Sequence, residues 1–373
     1  MMKYGIFGCL IIVLLCACVM PENPGEARRP FDPDLYAWKT ASWTPFAVED
    51  SIAGFAYAKI NNSDRYVAVS YSGVIGWSND GDIWHRAVAA EVGGSSASPN
   101  PFNASFNAVA CGDGVFIAVG NDGKIARSTD GIAWTALGHS GGISGFGASN
   151  IMGIAWGFTE NKTNGAKTNM FVAVGGYANI AYSLDGGLTW AECKDPSGNF
   201  GTSQLNAIAF DPGGARFYIG GSDGKRGWSD DPRLKNWHHK GGEHPFYGNS
   251  IRKITVGRYE DKIGIGIAFD EYDYKRITIA TNADFGDLDS DLDAGGFGDN
   301  AITGIAFGSN VFVAAGSSAM IGWWPSDNPQ KRSDRYWRAL SFTEFQWWEI
   351  SALAALKDRF FAGGVGGKIG YSK

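Results

Sequence analysis

The sequence predicts an all-β fold: a seven-bladed β-propeller of four-stranded antiparallel blades, its last blade closed by an N-terminal strand. Three observations predict it. A unit of apolar runs, separated by Gly- and Asp-rich turns and ending near a tryptophan, recurs along the chain. Its seven copies lie roughly 46 to 55 residues apart, close to the length of a propeller blade. The last copy stops at Tyr371-Ser372-Lys373 without its final segment, and a segment of the missing kind stands ahead of the first copy.

The copy from Phe106 to Trp134 shows the elements in order. An apolar strand spotted with small residues is followed by a turn at Gly112-Asp113-Gly114. Val115 to Val119 is a second strand, and Asn121-Asp122-Gly123 a second turn. Lys124 to Ser128 is a third strand, and a last turn leads to Trp134 in the fourth. Related copies begin at Tyr66, Phe171, Phe217, Phe312 and Phe360, and a degenerate one spans Ile263 to Thr281. A sheet stacked between two others buries both faces, so its middle strands read as nearly continuous apolar runs. Crowding near the axis of a tapered ring explains the small residues of the first strands, such as Ala108 and Ala110, Gly153 and Ala155, and Gly304 and Ala306.

Ahead of the repeats, Lys3 precedes an apolar run from Gly5 to Ala17, too short for a comfortable membrane span and suited to a signal peptide. Its end, Leu15-Cys16-Ala17-Cys18, resembles a bacterial lipobox. The expected organisation is a lipoprotein signal peptide over 1–17, lipid on Cys18, a tether over 18–35 and the propeller over 36–373. Val19 rather than Asp after the cysteine favours the outer membrane, by resemblance to sorted lipoproteins. For the closing strand, Ala41-Ser42-Trp43-Thr44-Pro45-Phe46 is the first candidate, because Trp43 looks like the tryptophan that ends a copy. Tyr36 to Thr40 is the second. Closure removes exposed sheet edges. Cys111 and Cys193 fall in different repeats and read as small buried hydrophobes.

Ser183-Leu184-Asp185-Gly186-Gly187-Leu188-Thr189-Trp190 matches the pattern Ser-x-Asp-x-Gly-x-Thr-Trp. It resembles the Asp box of the bacterial-sialidase (BNR) repeat and of propellers that share it, among them sortilin-type receptors and YCF48-type assembly factors. Ser78, Asp80 and Trp84, and Ser128, Asp130 and Trp134, form shorter versions, and Ser229 and Asp231 open a longer one. In such families the box is a fold element, so its aspartates are not catalytic candidates. A sialidase-like reaction would need, by the same resemblance, converging arginines, a Tyr–Glu nucleophile pair and an acid. Arg216, Arg252, Arg258, Arg276 and Arg335 are scattered, and no catalytic residue is assigned.

Other clusters carry weaker chemistry. Asp287, Asp289, Asp291 and Asp293 alternate and could offer oxygens to calcium, but the glycine and glutamate of an EF-hand loop are missing; a solvated acidic loop is the preferred reading. His238 and His239, with Glu243 and His244 nearby, fit no zinc spacing. Phe246, Tyr247, Trp347 and Trp348, with Phe345, Tyr272 and Tyr274, fall in or beside connections between blades and form a possible binding face. A net charge of −6 argues against nucleic acid as a partner. The sequence-based expectation is a membrane-anchored, non-enzymatic envelope lipoprotein that binds or helps assemble a protein partner through one propeller face. The alternative is a carbohydrate-binding or sialidase-like glycoside hydrolase propeller.

Overall fold

The computed structural model describes residues 38–89, 105–137, 146–193, 198, 200–234, 236–240, 248–259, 262–270, 275–280, 282–285, 297, 301–324, 338–341 and 349–372. Within them, seven antiparallel sheets follow one another in chain order. The first blade comprises Ile52–Ile60, Ser63–Ser70, Ile75–Ser78 and His85–Arg86, and the second Phe106–Gly112, Val115–Gly120, Ile125–Ser128 and Ala133–Leu137. The third is Ile151–Glu160, Lys167–Gly175, Ile180–Ser183 and Ala191–Glu192; the fourth is Leu205–Asp211, Arg216–Gly221, Arg226–Ser229 and His238–Lys240. The fifth has three strands among the described residues, Ser250–Tyr259, Lys262–Asp270 and Lys275–Ala280. Ile302–Gly308, Val311–Gly316, Met320–Trp324 and Arg338–Ser341 make the sixth. The second blade also gains Val88–Ala89, paired parallel to its outer strand.

The seventh blade, Ile350–Leu356, Arg359–Gly364 and Ile369–Ser372, takes its outer strand from the far end of the chain. That strand is Trp38–Thr40, with Trp38 opposite Ser372 and Thr40 opposite Gly370. The second sequence candidate therefore closes the ring, and the preferred one, Ala41 to Phe46, does not. Trp43 instead bridges to Ile83 of the first blade and is 53% exposed, unlike the buried Trp84, Trp134 and Trp190. Ladder pairing uses backbone groups, so the closing strand needs no tryptophan. The segment is latched by Asp82, whose carboxylate accepts from Lys39 Nζ, Ser42 N, Ser42 Oγ and Tyr371 Oη.

Burial explains why the ring is closed. Among the described residues the buried apolar side chains form seven clusters, each built from two neighbouring blades, and one unites Ile52, Phe55 and Tyr66 with Phe361, Ile369 and Tyr371. A blade alone would leave both faces wet, and the seventh would leave one wet without the first. The second strands are accordingly solid: all of Val115–Gly120 and of Val311–Gly316 is buried. Close approach fixes some glycines. A Cβ on Gly112 would lie 1.8 Å from the Trp156 ring of the next blade, and one on Gly157 2.4 Å from the Phe210 ring. Cys111 and Cys193 are buried in separate clusters, unbridged, as the sequence predicts.

Candidate functional site at the channel mouth

The innermost strands share one local pattern: a buried apolar anchor, a residue left out of the ladder by a β-bulge, and then a small residue. The anchors are Ile52, Phe106, Ile151, Leu205, Ile251, Ile302 and Ile350, none more than 1% exposed. The bulged residues are Ala53, Asn107, Met152, Asn206, Arg252, Thr303 and Ser351. A bulge turns one side chain away from the pleat of its sheet. Here all but Ala53 line a single cavity of about 330 Å³ where the innermost strands begin. Ser51, Tyr71, Lys253, Ile302, Glu349 and Val365 complete its described wall.

Four bulged side chains also tie their blade to the next at the same place, the carbonyl of the neighbouring anchor. Asn107 Nδ2 donates to the Ile151 carbonyl at 2.9 Å, Asn206 Nδ2 to that of Ile251 at 2.9 Å and Ser351 Oγ to that of Ile52 at 2.7 Å. Thr303 Oγ1 does the same to Ile350. The result is a polar belt around the mouth, running from the second blade to the third, the fourth to the fifth, the sixth to the seventh, and the seventh to the first. Arg252, Lys253 and Glu349 supply its charge. Partial burial raises the pKa of the Tyr71 phenol, the Glu349 charge adds to this and Arg252 opposes it, so the three groups share one field. Burial alone depresses the pKa of the Lys253 ammonium.

The turns between second and third strands stand at the same end, since Ser70 pairs with Ile52 and Val69 with Ile75. Four of them are single 3₁₀ turns with a left-handed central residue at φ 56°: Asp122, Tyr177, Asp223 and Ser318. Asp and Ser accommodate such turns readily, whereas a bulky residue there is uncommon. Tyr177 nevertheless occupies one, 65% exposed. It and Tyr71 place two exposed aromatics on the mouth face.

The Ser–Asp–Trp segments lie at the opposite end, because Ser78 pairs with Tyr66 at the far side of its sheet. Each shorter segment closes the same turn. Asp80 Oδ1 accepts from Ser78 Oγ and from the N–H groups of Asp82 and Ile83, while Trp84 Nε1 donates to the Gly81 carbonyl. Asp130 and Trp134 repeat these bonds, and Asp185, Thr189 and Trp190 form the longer turn with Ser183 and Gly187. Partial burial pushes the Asp80 and Asp130 pKa values up, but the hydrogen bonds outweigh it and hold both below the ordinary carboxylate value. The same balance depresses Asp185. In the fourth copy Asp231 is taken by Arg233 through two bonds, and Ser229 Oγ turns to Asn236.

Other sequence candidates fall elsewhere. Cys18, Phe246, Tyr247, Trp347, Trp348 and Asp287, Asp289, Asp291 and Asp293 lie outside the described residues, as do Tyr272, Tyr274, Phe345, Glu243 and His244. His238 stacks on Trp228 at 5.2 Å, and His239 packs edge-on against Phe200 at 5.4 Å. Among the described residues no group of three His, Cys, Asp or Glu is placed to hold a metal. Of the five arginines named from the sequence, only Arg252 is among the cavity's described lining residues; Arg216 pairs with Asp230, and Arg258 with Asp211. Sequence reasoning misses the bulged ring, although the recurring apolar–variable–small triplet, as in Ile302-Thr303-Gly304 and Ile350-Ser351-Ala352, signals it.

By sequence, no family model and no curated protein matches the chain. Solved structures do. A YCF48 bound to a D1 peptide aligns with a TM-score of 0.60 at 12% identity, over 93% of this chain and 99% of that one. The YCF48 of Cyanidioschyzon merolae aligns with a TM-score of 0.60 at 15% identity, over 90% and 98%. The WD40 propeller domain of Doa1 gives 0.57 at 12% identity, over 91% and 97%. At such identities the likeness is one of fold: the chain is a seven-bladed β-propeller.

Proposed function

We propose that the protein is a non-enzymatic binding scaffold whose working surface is the channel-mouth face, and that lipid on Cys18 holds it at a bacterial envelope membrane, where it engages a protein partner. The observation that carries the reading is the common aim of the bulges: six blades each commit a variable side chain to one cavity. Asn107, Asn206, Thr303 and Ser351 also serve closure through their bonds to the next blade, whereas at the places of Met152 and Arg252 a small residue would suffice for closure, as Ala53 does in the first blade. Tyr71 and Tyr177 add exposed aromatic anchors of the kind that dominate protein interfaces. A YCF48 of similar fold carries a bound peptide, which makes a polypeptide ligand the natural expectation. The Ser–Asp–Trp turns are read as Asp boxes that brace the far end of the blades.

Site-specific photo-crosslinking in the native envelope tests the reading. A crosslinker at Tyr177 is expected to capture one defined envelope protein, and a crosslinker at Leu188, exposed at the other end, is expected to capture none. Equal capture from both ends, or capture from Leu188 alone, overturns it. Cys18→Ala should move the protein from the membrane to the soluble fraction, and a variant that stays membrane-bound refutes the anchor.

A further inference from the structure

The residue after the bulge is small in six blades: Gly54, Ala108, Gly153, Ala207, Gly304 and Ala352. In the fifth it is Lys253. The position faces the next blade at close range. A Cβ on Gly54 would sit 3.5 Å from Val109 N, and one on Gly304 2.9 Å from Leu353 Cβ. A lysine there cannot stand out between packed sheets, and Lys253 lines the channel-mouth cavity. It is half-buried, and among the described residues no hydrogen bond or ion pair reaches its side-chain ammonium. Burial disfavours its charge, and no carboxylate adds an opposing effect. An unpaired ammonium in a partly dry site costs free energy that glycine or alanine would avoid. Costs of this kind are typical of functional positions.

The surroundings specify the ligand's charge. Arg252 adds a second cation and Glu349 is the single carboxylate among the described lining residues, so the described wall is net positive in a chain of net charge −6. We propose that the channel-mouth cavity is an anion-binding site in which the Lys253 ammonium is the principal contact, taking a compact carboxylate or phosphate group. The volume of about 330 Å³ admits a small dicarboxylate or phosphoester, or an acidic side chain offered by a polypeptide. The inference goes beyond the scaffold reading and stands whether or not a macromolecule docks on this face.

Calorimetric titration of the full chain tests it, with inorganic phosphate, succinate and a Glu-containing tripeptide blocked at both ends as probes. Wild-type protein should bind at least one probe saturably. Lys253→Met should weaken that binding at least tenfold, while Lys253→Arg should keep it within about threefold. Phosphate or succinate binding assigns the anion to a free small molecule; binding of the blocked peptide alone assigns it to an acidic side chain. A second readout is mapped amine labelling at neutral pH. Lys253 should react early, and the bound anion should protect it. Lys253→Met should also raise the urea midpoint, which shows that its lost binding is not lost folding. Equal affinity in Lys253→Met, or no saturable binding of any probe by the wild type, overturns the proposal, and neither result bears on photo-crosslinking at Tyr177.

Discussion

The belt of bulged side chains can be broken and extended one link at a time. Asn206 is 7% exposed; its Nδ2 donates to the carbonyl of Ile251, itself fully buried, and its Oδ1 accepts from Gln204 Nε2 at 2.8 Å. Asn206→Ala removes the link and leaves a buried carbonyl short of a donor. A net hydrogen bond is worth about 1 kcal/mol, and an abandoned buried group costs up to roughly 3 kcal/mol, so a loss of about 1–3 kcal/mol is expected. Asn206→Asp should cost more than Asn206→Ala, because it keeps the acceptor for Gln204 but sets a carboxylate against the Ile251 carbonyl. Adding a link is the sharper test. Met152 holds the equivalent place in the third blade and carries no donor, so Met152→Asn should reach the carbonyl of Leu205 and gain about 0.5–1.5 kcal/mol. Equilibrium urea unfolding, followed by tryptophan fluorescence and far-ultraviolet circular dichroism, reads both signs. If Asn206→Ala shifts the midpoint no more than Met152→Asn does, and in the same direction, the bulges aim side chains but do not tie blades together.

Three further outcomes rest on contacts away from the belt. Arg258 and Asp211 form a two-bond pair, at 2.8 and 2.5 Å, between the fourth and fifth blades, with the Asp211 side chain 1% exposed. Arg258→Met strands that carboxylate and should cost roughly 3 kcal/mol, the low end for a broken buried pair because Arg258 itself is 34% exposed; the double variant with Asp211→Leu should recover part of it in urea unfolding. Asp80, Asp130 and Asp185 have folded pKa values below the ordinary 3.8, so the unfolded chain binds protons more tightly than the fold does. Their contribution is therefore complete above about pH 4–5 and is lost as pH falls through the folded values; the urea midpoint should drop there, and more shallowly in a triple Asp→Asn variant. Asp82→Ala releases Lys39, Ser42 and Tyr371 together, so limited proteolysis should cut the segment from 38 to 46 sooner than in the wild type, and an unchanged cleavage rate refutes the latch.

The fold is legible where physics constrains residue type at every copy. Second strands covered on both faces must be apolar throughout, and the run from Val115 to Val119 declares this by residue type alone. Turns that need a left-handed residue or a hydrogen-bonding carboxylate show Gly and Asp at fixed offsets. The closing strand is harder to read because its role is met by backbone alone. Trp38–Thr40 is half-buried along its length and carries no repeat signature, whereas Trp43 imitates one from an exposed position. The innermost strand of the fifth blade escapes recognition, because Lys253 and Thr255 replace the small residues that mark its counterparts.

That failure and the channel-mouth site have one cause. A repeat rule exists because each copy solves the same packing problem, so a residue that breaks the rule gains nothing in packing. Arg226 shows the bland form of this. It stands where the second, third and seventh blades have Ile125, Ile180 and Ile369, is fully buried, and lies 5.9 Å from the Phe285 ring. It meets protein on every side, so its exception is absorbed within the structure. Lys253 meets a cavity instead, in the blade whose bulged residue is also a cation. Ring closure brings the seven bulged positions, each more than 40 residues from the next in sequence, to one rim, and local pattern cannot announce that. Comparison of the copies column by column can. The variable column holds the side chains that reach the cavity, the small column holds one lysine, and a charge in a column otherwise reserved for hydrogen or methyl is the place to look for a ligand.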